Sequence, residues 1–351
     1  MLKQPRLIVS LTSFPDRMDG LHLTVESVIN QTIPADLVVI WLASSQFPNG
    51  LDDVPATLKG LLSDKCQVRW CEDMRSYKKL IPSLNRYPNA TIVTVDDDII
   101  YERTLIEKLL RGHELHPDCI IVSRVTKFHS CNGVLFHDDG GCSYWEQPSY
   151  LNKLVGCGAC LYPPKSLDSE VLDYGTAKRL APTSDDIWFW LMGVKADTKI
   201  YRIKDGDWYP RHNPVNSGVN SLSSVNDGER GNFYKHFDNI LDAFPGVREK
   251  LLAEGGNDPM CDLIKKVEFS AVVTTEVSGS ATSLPFAHED AVGFSSRIKD
   301  ELNRLSCTAR RWPGLKQLYV KYLDAKNAKT ARIRYSKRLA AHSQLRCDEG
   351  Q

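Results

Sequence analysis

No apolar run in the sequence approaches the eighteen or so residues of a membrane-spanning helix, which excludes a helical transmembrane protein. Charge of one sign is also missing, since 44 Lys and Arg balance 44 Asp and Glu. Neither GxGxxG nor a Walker A sequence occurs, which argues against a dinucleotide dehydrogenase or a P-loop enzyme. The single CxxC, Cys157-Gly-Ala-Cys160, has no second pair at a suitable spacing, so a structural zinc site has little support. The opening Met-Leu-Lys-Gln-Pro-Arg lacks the character of a signal peptide. The ten cysteines are scattered, several of them inside apparent strands (Cys66, Cys71, Cys119), and reduced thiols in a cytoplasm are expected rather than a disulfide framework. For the same reason the Asn-x-Thr sequons at Asn30 and Asn89 carry little weight. No internal repeat is visible.

What is present is the composition of a soluble globular protein, 42% apolar and 25% charged, with length for one large domain or two ordinary ones. The neutral balance hides an asymmetry. Residues 296–351 hold 14 Lys/Arg against 5 Asp/Glu, a net of +9, leaving −9 on residues 1–295. Such a basic region reads either as a solvated helical face or as a surface for anionic lipid, polyanionic glycan or nucleic acid.

Strand and helix patterns alternate over the first 125 residues. Strands are expected at Arg6–Ser13, Leu37–Ala43, Gln67–Cys71, 90–95 and Cys119–Ser123. Helices are expected at Leu21–Asn30, Val54–Leu62, Tyr77–Asn85 and 102–113. This alternation predicts an α/β fold with a mostly parallel sheet. From 126 to 255 the pattern turns irregular and rich in Gly, Trp, Tyr and Asn, as in long functional loops on a rigid scaffold. Within it, Leu154–Tyr162 reads as a glycine-weakened strand passing close to a ligand. A linker or strand pair is expected over 256–290, then one or two helices with basic faces from 296.

The most informative stretch is Asp96-Asp97-Asp98, which ends the apolar strand Ala90–Val95. Carboxylates at the carboxyl end of a parallel strand stand where open α/β sheets bind ligands. On an extended backbone Asp96 and Asp98 point to the same side. A hard cation carrying a diphosphate needs one or two such carboxylates, with phosphate oxygens and water completing its shell. The competing reading is a solvated acidic turn capping a helix that starts near Glu102. A second acidic pair, Asp185-Asp186, follows Ser184 at the start of an apolar helix. There one carboxylate suits the cap, and the other suits a general base facing the cleft. Lys78 and Lys79 open the helix after the third strand, a place for diphosphate. Glu72-Asp73 ends that strand and suits a base N–H or ribose hydroxyls. Thr12 to Arg17 offer hydroxyls, an aromatic face and a cation. His212 suits a third metal ligand or a phosphate donor.

Five segments occur together in one order: Ser10-Leu-Thr-Ser-Phe-Pro-Asp-Arg17, Ser76-Tyr-Lys-Lys-Leu-Ile-Pro82, Val95-Asp-Asp-Asp-Ile-Ile-Tyr101, the Gly-rich segment ending in Pro164, and Ser184-Asp-Asp-Ile-Trp188. Over about residues 5–215 this set resembles bacterial glycosyltransferases of the GT-A fold, similar to family 2 enzymes of surface polysaccharide synthesis such as lipopolysaccharide or capsule. The resemblance implies a GT-A-like α/β/α sandwich at 1–255, with a nucleotide-binding half (1–125) and an acceptor and catalytic half (126–255). A linker and basic helical region would follow at 256–351. It implies Mn²⁺ or Mg²⁺ on Asp96 and Asp98, with Asp97 toward the ribose or sugar. Asp185 or Asp186 would be the base of an inverting transfer. Thr12, Arg17 and Asp73 would line the nucleotide pocket, and Lys78 or Lys79 would contact phosphates. The implied partners are a UDP-linked donor and a glycan or lipid-linked acceptor, with a peripheral inner-membrane contact through the basic region and no nucleic acid. A sugar nucleotidyltransferase and a non-catalytic glycan-binding protein are the alternatives.

Overall fold

The computed structural model describes residues 6–137, 147–204, 211–216, 232–257, 333–336 and 338–339. Apart from those stretches, the linker expected over 256–290 and the basic helices expected from 296 lie outside the described residues. Four strands form where the apolar, β-branched runs predict them: β1 (Leu7–Thr12), β2 (Leu37–Ala43), β3 (Cys66–Cys71) and β4 (Thr91–Thr94). Helix α1 (Met18–Ile29) joins β1 to β2, and the short α2 (Ala56–Lys59) lies between β2 and β3.

The helix expected over Tyr77–Asn85 is broken. A 3₁₀ turn over Arg75–Lys79 ends at Leu80 (φ −126°), and α3 (Ile81–Arg86) begins beyond it. Pro82 is the reason: it lacks the N–H that would bond the carbonyl four residues back, and its ring crowds that carbonyl. The Lys78–Lys79 segment therefore presents side chains and not a helix dipole.

Further along come β5 (Ile99–Ile100), α4 (Leu105–Leu115), β6 (Cys119–Val122), β7 (Val125–Cys131), β8 (Val134–His137), β9 (Asn152–Leu154) and β10 (Cys160–Tyr162). Helices α5 (Tyr174–Leu180) and α6 (Asp185–Lys195) precede β11 (Lys199–Arg202) and β12 (Arg211–His212). Two more helices cover Phe233–Ala243 and Pro245–Glu254. Among the described residues no helix is long and apolar enough to cross a membrane.

The fold is mixed α/β around a seven-stranded sheet in the order β11-β6-β10-β4-β1-β2-β3. Every neighbouring pair is parallel except where β10 runs antiparallel between β4 and β6. Every residue of β2 is buried, as for a sheet covered on both faces. Val9, Leu11, Ile40 and Val93 share one core with Leu21 and Val25 of α1 and Leu109 of α4. Each such fully buried side chain contributes about 1.5–3 kcal/mol. Helix α6 is buried along nearly its whole length. Its Trp190 stacks on Phe237 with ring centroids 5.6 Å apart and donates its indole N–H to the Tyr150 carbonyl.

The chain divides into two compact units. One comprises Met1–Thr126 and Trp145–Glu254, and holds the seven-stranded sheet. The other comprises Lys127–Tyr144 and Gly255–Gln351. In it the stretch read as irregular opens as a hairpin, with Phe128 opposite His137 and Cys131 opposite Val134. The two-residue turn is Asn132-Gly133, both at positive φ (50° and 76°), the geometry that matches the twist of a hairpin. Cys131 is disulfide-bonded, so the expectation of reduced thiols fails at that position, while Cys66, Cys71, Cys119, Cys157 and Cys160 are free.

Candidate active site

Strand order locates the site. From β1 the chain moves outward through β2 to β3, then returns to place β4 on the other side of β1. The crevice at the carboxyl ends of β1 and β4 is thus a topological switch point, where open α/β sheets bind ligands. An open cleft of about 790 Å³ lies there. It is lined by Thr12 and Arg17 after β1, Asp73, Lys78 and Lys79 after β3, Asp96–Asp98 after β4, and Asp185, Asp186 and His212. Of the candidates named from the sequence, these all line the one cleft, and Glu72 does not.

Asp96 follows the end of β4, and Asp97 and Asp98 form the turn that leads into β5, so the three do not continue the strand. The three carboxylates accordingly have different surroundings. Asp97 is buried, accepting from Ser13 Oγ and from Arg17 Nη1, each at 2.6 Å. Arg17 Nη1 also stands 3.2 Å from Asp98. The Asp97 carbonyl accepts from Thr24 Oγ1 and Asn216 Nδ2, both at 3.1 Å. The Asp98 carbonyl accepts the Asn213 amide at 2.7 Å. Segment 211–216 thus clamps the acidic turn from outside. Burial pushes the Asp98 carboxyl up to about 6, helped by the neighbouring charge of Asp96 and opposed by Arg17.

Lys79 is the buried centre of the cleft. Its Nζ lies 2.9 Å from Asp96 Oδ1, 2.9 Å from Asp185 Oδ2 and 3.7 Å from Asp186 Oδ1. Burial opposes its charge, but Asp185, Asp96 and Asp186 together outweigh that and hold it well above the ordinary lysine range. One ammonium therefore ties the acidic turn after β4 to the acidic pair that opens α6. The two acids of that pair differ. Asp185 is buried, its pKa raised by burial against the pull of Lys79, and it accepts from Ser76 Oγ at 2.9 Å. Asp186 is half-buried and accepts the Gly156 amide on Oδ2 at 2.9 Å, while its Oδ1 has no hydrogen-bond donor. Neither caps α6 with help from Ser184, whose hydroxyl shares a hydrogen bond with His236 Nδ1 at 2.8 Å instead.

The Gly-rich segment is two short strands, β9 and β10, separated by a 3₁₀ turn at Gly156–Gly158. Because Cys160 pairs with Thr94 in β4, the residues before it lie beside the acidic turn. Gly156 needs to be glycine. A Cβ there would stand 2.6 Å from Asp186 Oδ1 and 2.7 Å from Lys79 Nζ. The close approach expected of this segment is thus an approach to catalytic-type side chains.

The remaining candidates are engaged to different degrees. The Thr12 hydroxyl donates to the Trp41 carbonyl at 2.8 Å. Lys78 is buried, with Nζ 3.3 Å from Asp73 and 3.2 Å from Gln46. Asp73 is exposed; partial desolvation is the largest single effect on its pKa and raises it, but the Arg75 amide and Lys78 together outweigh that and lower it. His212 is exposed on β12, which pairs with β5. Sequence reasoning did not single out Ser76, Arg124, Lys153, Asn213 or Asn216. Isolated polar residues in a loop carry no periodic signal.

Among the described residues no three His, Cys, Asp or Glu side chains converge as a ready-made metal cage. A cation that travels with a diphosphate does not need one, since one or two carboxylates suffice when phosphate oxygens and water supply the rest. Asp96 and Asp98 meet that need. Both line the cleft and both are hard oxygen donors. The donor set fits a substrate-borne hard cation such as Mg²⁺ or Mn²⁺.

No protein-family model matches the sequence, and no curated protein matches it. Among solved structures the fold is similar to a mannosyltransferase, PcManGT from Pyrobaculum calidifontis, in complex with GDP-Man and Mn²⁺. The match has a TM-score of 0.42 at 10% identity and covers 95% of this chain and 88% of that one. A likeness at this level carries no residue role over to this chain.

Proposed function

We propose that the chain is a metal-dependent glycosyltransferase of the GT-A type, moving a sugar from a nucleotide-diphosphate donor to an acceptor hydroxyl with inversion. The observation that supports this most is the pairing, in one switch-point cleft, of Asp96 and Asp98 with the acidic pair Asp185-Asp186 that opens α6. In this reading Asp96 and Asp98 hold the cation, which when bound offsets the negative charge growing on the departing diphosphate. Thr12, Gln46, Asp73 and Lys78, at the carboxyl ends of β1 to β3, surround the nucleotide. Asp97 and Arg17 act as a buried ion pair that shapes the turn.

Asp186 is the stronger candidate for the base. Asp185 is held at 2.9 Å by both Lys79 and Ser76. Asp186 Oδ1 is buried without a hydrogen-bond donor and stands 3.7 Å from Lys79, the looser tie of the two for a group that must accept the acceptor hydroxyl's proton. Lys79 keeps the base and the cation-binding turn at a fixed separation. The donor is read as UDP-linked, and the acceptor as a glycan or lipid-linked sugar of surface polysaccharide synthesis. For Asp186→Asn, binding of UDP with Mn²⁺ is expected to stay within about threefold while transfer falls on the order of 10²–10⁴-fold. The assay is release of UDP from a nucleotide-sugar panel. Turnover unchanged in Asp186→Asn removes the base assignment.

A further inference from the structure

On the side of β4 and β10 away from β1–β3, the cleft wall includes residues that the proposed transfer leaves unused. They are Arg124 and Thr126 after β6, Lys153 in β9, Val155, and Phe233 at the start of its helix. Lys153 is only 8% exposed, yet it is one of the residues that line the cleft. It lies over the Phe233 ring, 5.5 Å from the centroid. A ring face eases the burial of a cation without cancelling its charge. Arg124 donates from Nη1 to Cys157 Sγ at 2.9 Å. Burial pushes that thiol up to about 11, so the sulfur is neutral and leaves the guanidinium charge uncompensated.

Among the described residues, no carboxylate pairs with Lys153 or Arg124. Of these two Lys153 is buried and Arg124 half-buried, and the other buried cations of the cleft differ from them in this respect. Arg17 has Asp97 and Asp98, Lys78 has Asp73, and Lys79 has Asp96, Asp185 and Asp186. A buried ammonium without a counter-charge is costly. Here two cations with no acid partner line the same cleft on neighbouring segments, since the Val155 amide donates to the Arg124 carbonyl at 3.2 Å. Strand β6, which Arg124 follows, lies across β10, β4, β1 and β2 from β3.

We propose that Lys153 and Arg124 form an anion subsite for the acceptor, which carries a phosphate or carboxylate close to the hydroxyl that is glycosylated. The assignment to the acceptor rests on reading the cleft as a glycosyltransferase site. In that reading the β1–β3 side takes the nucleotide, Asp96–Asp98 and Asp186 lie between, and the Lys153 side is left for the second substrate. A guanidinium fork beside a point-charge ammonium suits either oxyanion.

The test is calorimetric titration of the full-length chain with glucose 1-phosphate, glucuronate and glucose, each with and without UDP and Mn²⁺. At least one of the two anions is expected to bind on the order of tenfold more tightly than glucose, and which one tells phosphate from carboxylate. Lys153→Met keeps an apolar stem on Phe233, and Arg124→Gln keeps a hydrogen-bond donor. Each is expected to weaken the anion about tenfold while leaving UDP–Mn²⁺ affinity within about threefold. Equal binding of glucose, no binding of either anion, or anion binding untouched by both variants overturns the subsite. Absence of UDP–Mn²⁺ binding beside an intact anion preference keeps the subsite and removes the transferase reading.

Discussion

Lys79→Met is the most telling perturbation of the fold and site together. The substitution deletes the ammonium that stands 2.9 Å from Asp96 and 2.9 Å from Asp185, and leaves a stem of similar length in a site 6% exposed. Removing one partner of a buried ion pair typically costs about 3–5 kcal/mol, because the remaining charge is left uncompensated. For a unit of this size that corresponds to a melting temperature lower by about 6–20 °C. The sign with pH follows from the residues left behind. Without Lys79, buried Asp185 loses the charge that opposes its burial, so its pKa in the folded state rises further above that in the unfolded one. The folded variant then binds more protons than its unfolded chain in the mildly acidic range, so it gains stability as pH falls. Thermal unfolding followed by circular dichroism at about pH 5 and pH 8 reads this directly, with the wild-type gap smaller at the lower value. The double variant Lys79→Met/Asp185→Asn is expected to lose less than the sum of the two single losses, since the pair is in direct contact. A melting temperature within about 2 °C of wild type, or an equal drop at both pH values, refutes the buried network as the organising feature.

Three further outcomes follow from the same geometry. Gly156→Ala places a methyl group 2.6 Å from Asp186 Oδ1; a loss of about 1–3 kcal/mol is expected by denaturant titration, with transfer reduced more than donor binding. Asp98→Asn is expected to flatten part of the stability profile of the metal-free protein. The Asp98 carboxyl is raised from 3.8 to about 6, so its contribution is full below the lower value and is lost as pH rises through the higher one, about 3 kcal/mol in all. Wild type and variant compared between those two values should diverge by that slope, and parallel profiles contradict the shift. Ser76→Ala removes the hydroxyl donor to buried Asp185 and should cost about 1–3 kcal/mol in the same titration, whereas no change makes that bond dispensable.

Much of the parallel half of the sheet was legible because its strands are apolar on both faces and end at turn residues. Leu37–Ala43 is a continuous apolar run, and it forms β2 with the same limits. The acidic segments were legible as cleft residues for a related reason: three adjacent carboxylates after a buried strand have few other uses. What the sequence could not show is pairing across long separations. Lys79 looked like a solvated or phosphate-binding lysine at the start of a helix. Its contact with Asp185 depends on a buried α6 docking over the turn after β3, which no local pattern encodes. The break at Leu80 was readable from Pro82 and was passed over because the surrounding apolar spacing suits a helix. The Asn132-Gly133 hairpin was equally readable, and was lost in a region judged by composition. The antiparallel insertion of β10 between β4 and β6 was not readable, since a three-residue strand carries no direction in its sequence. That insertion is what brings Gly156 against Asp186.

The central claim is that Asp96 and Asp98 hold a divalent cation together with a nucleotide diphosphate. It is tested most directly by titrating UDP and GDP into the full-length protein with and without Mn²⁺, for wild type and Asp98→Asn. Nucleotide binding is expected to require Mn²⁺ in the wild type and to be lost in the variant. Binding of equal strength without the metal, or intact Mn²⁺-dependent binding in Asp98→Asn, contradicts it.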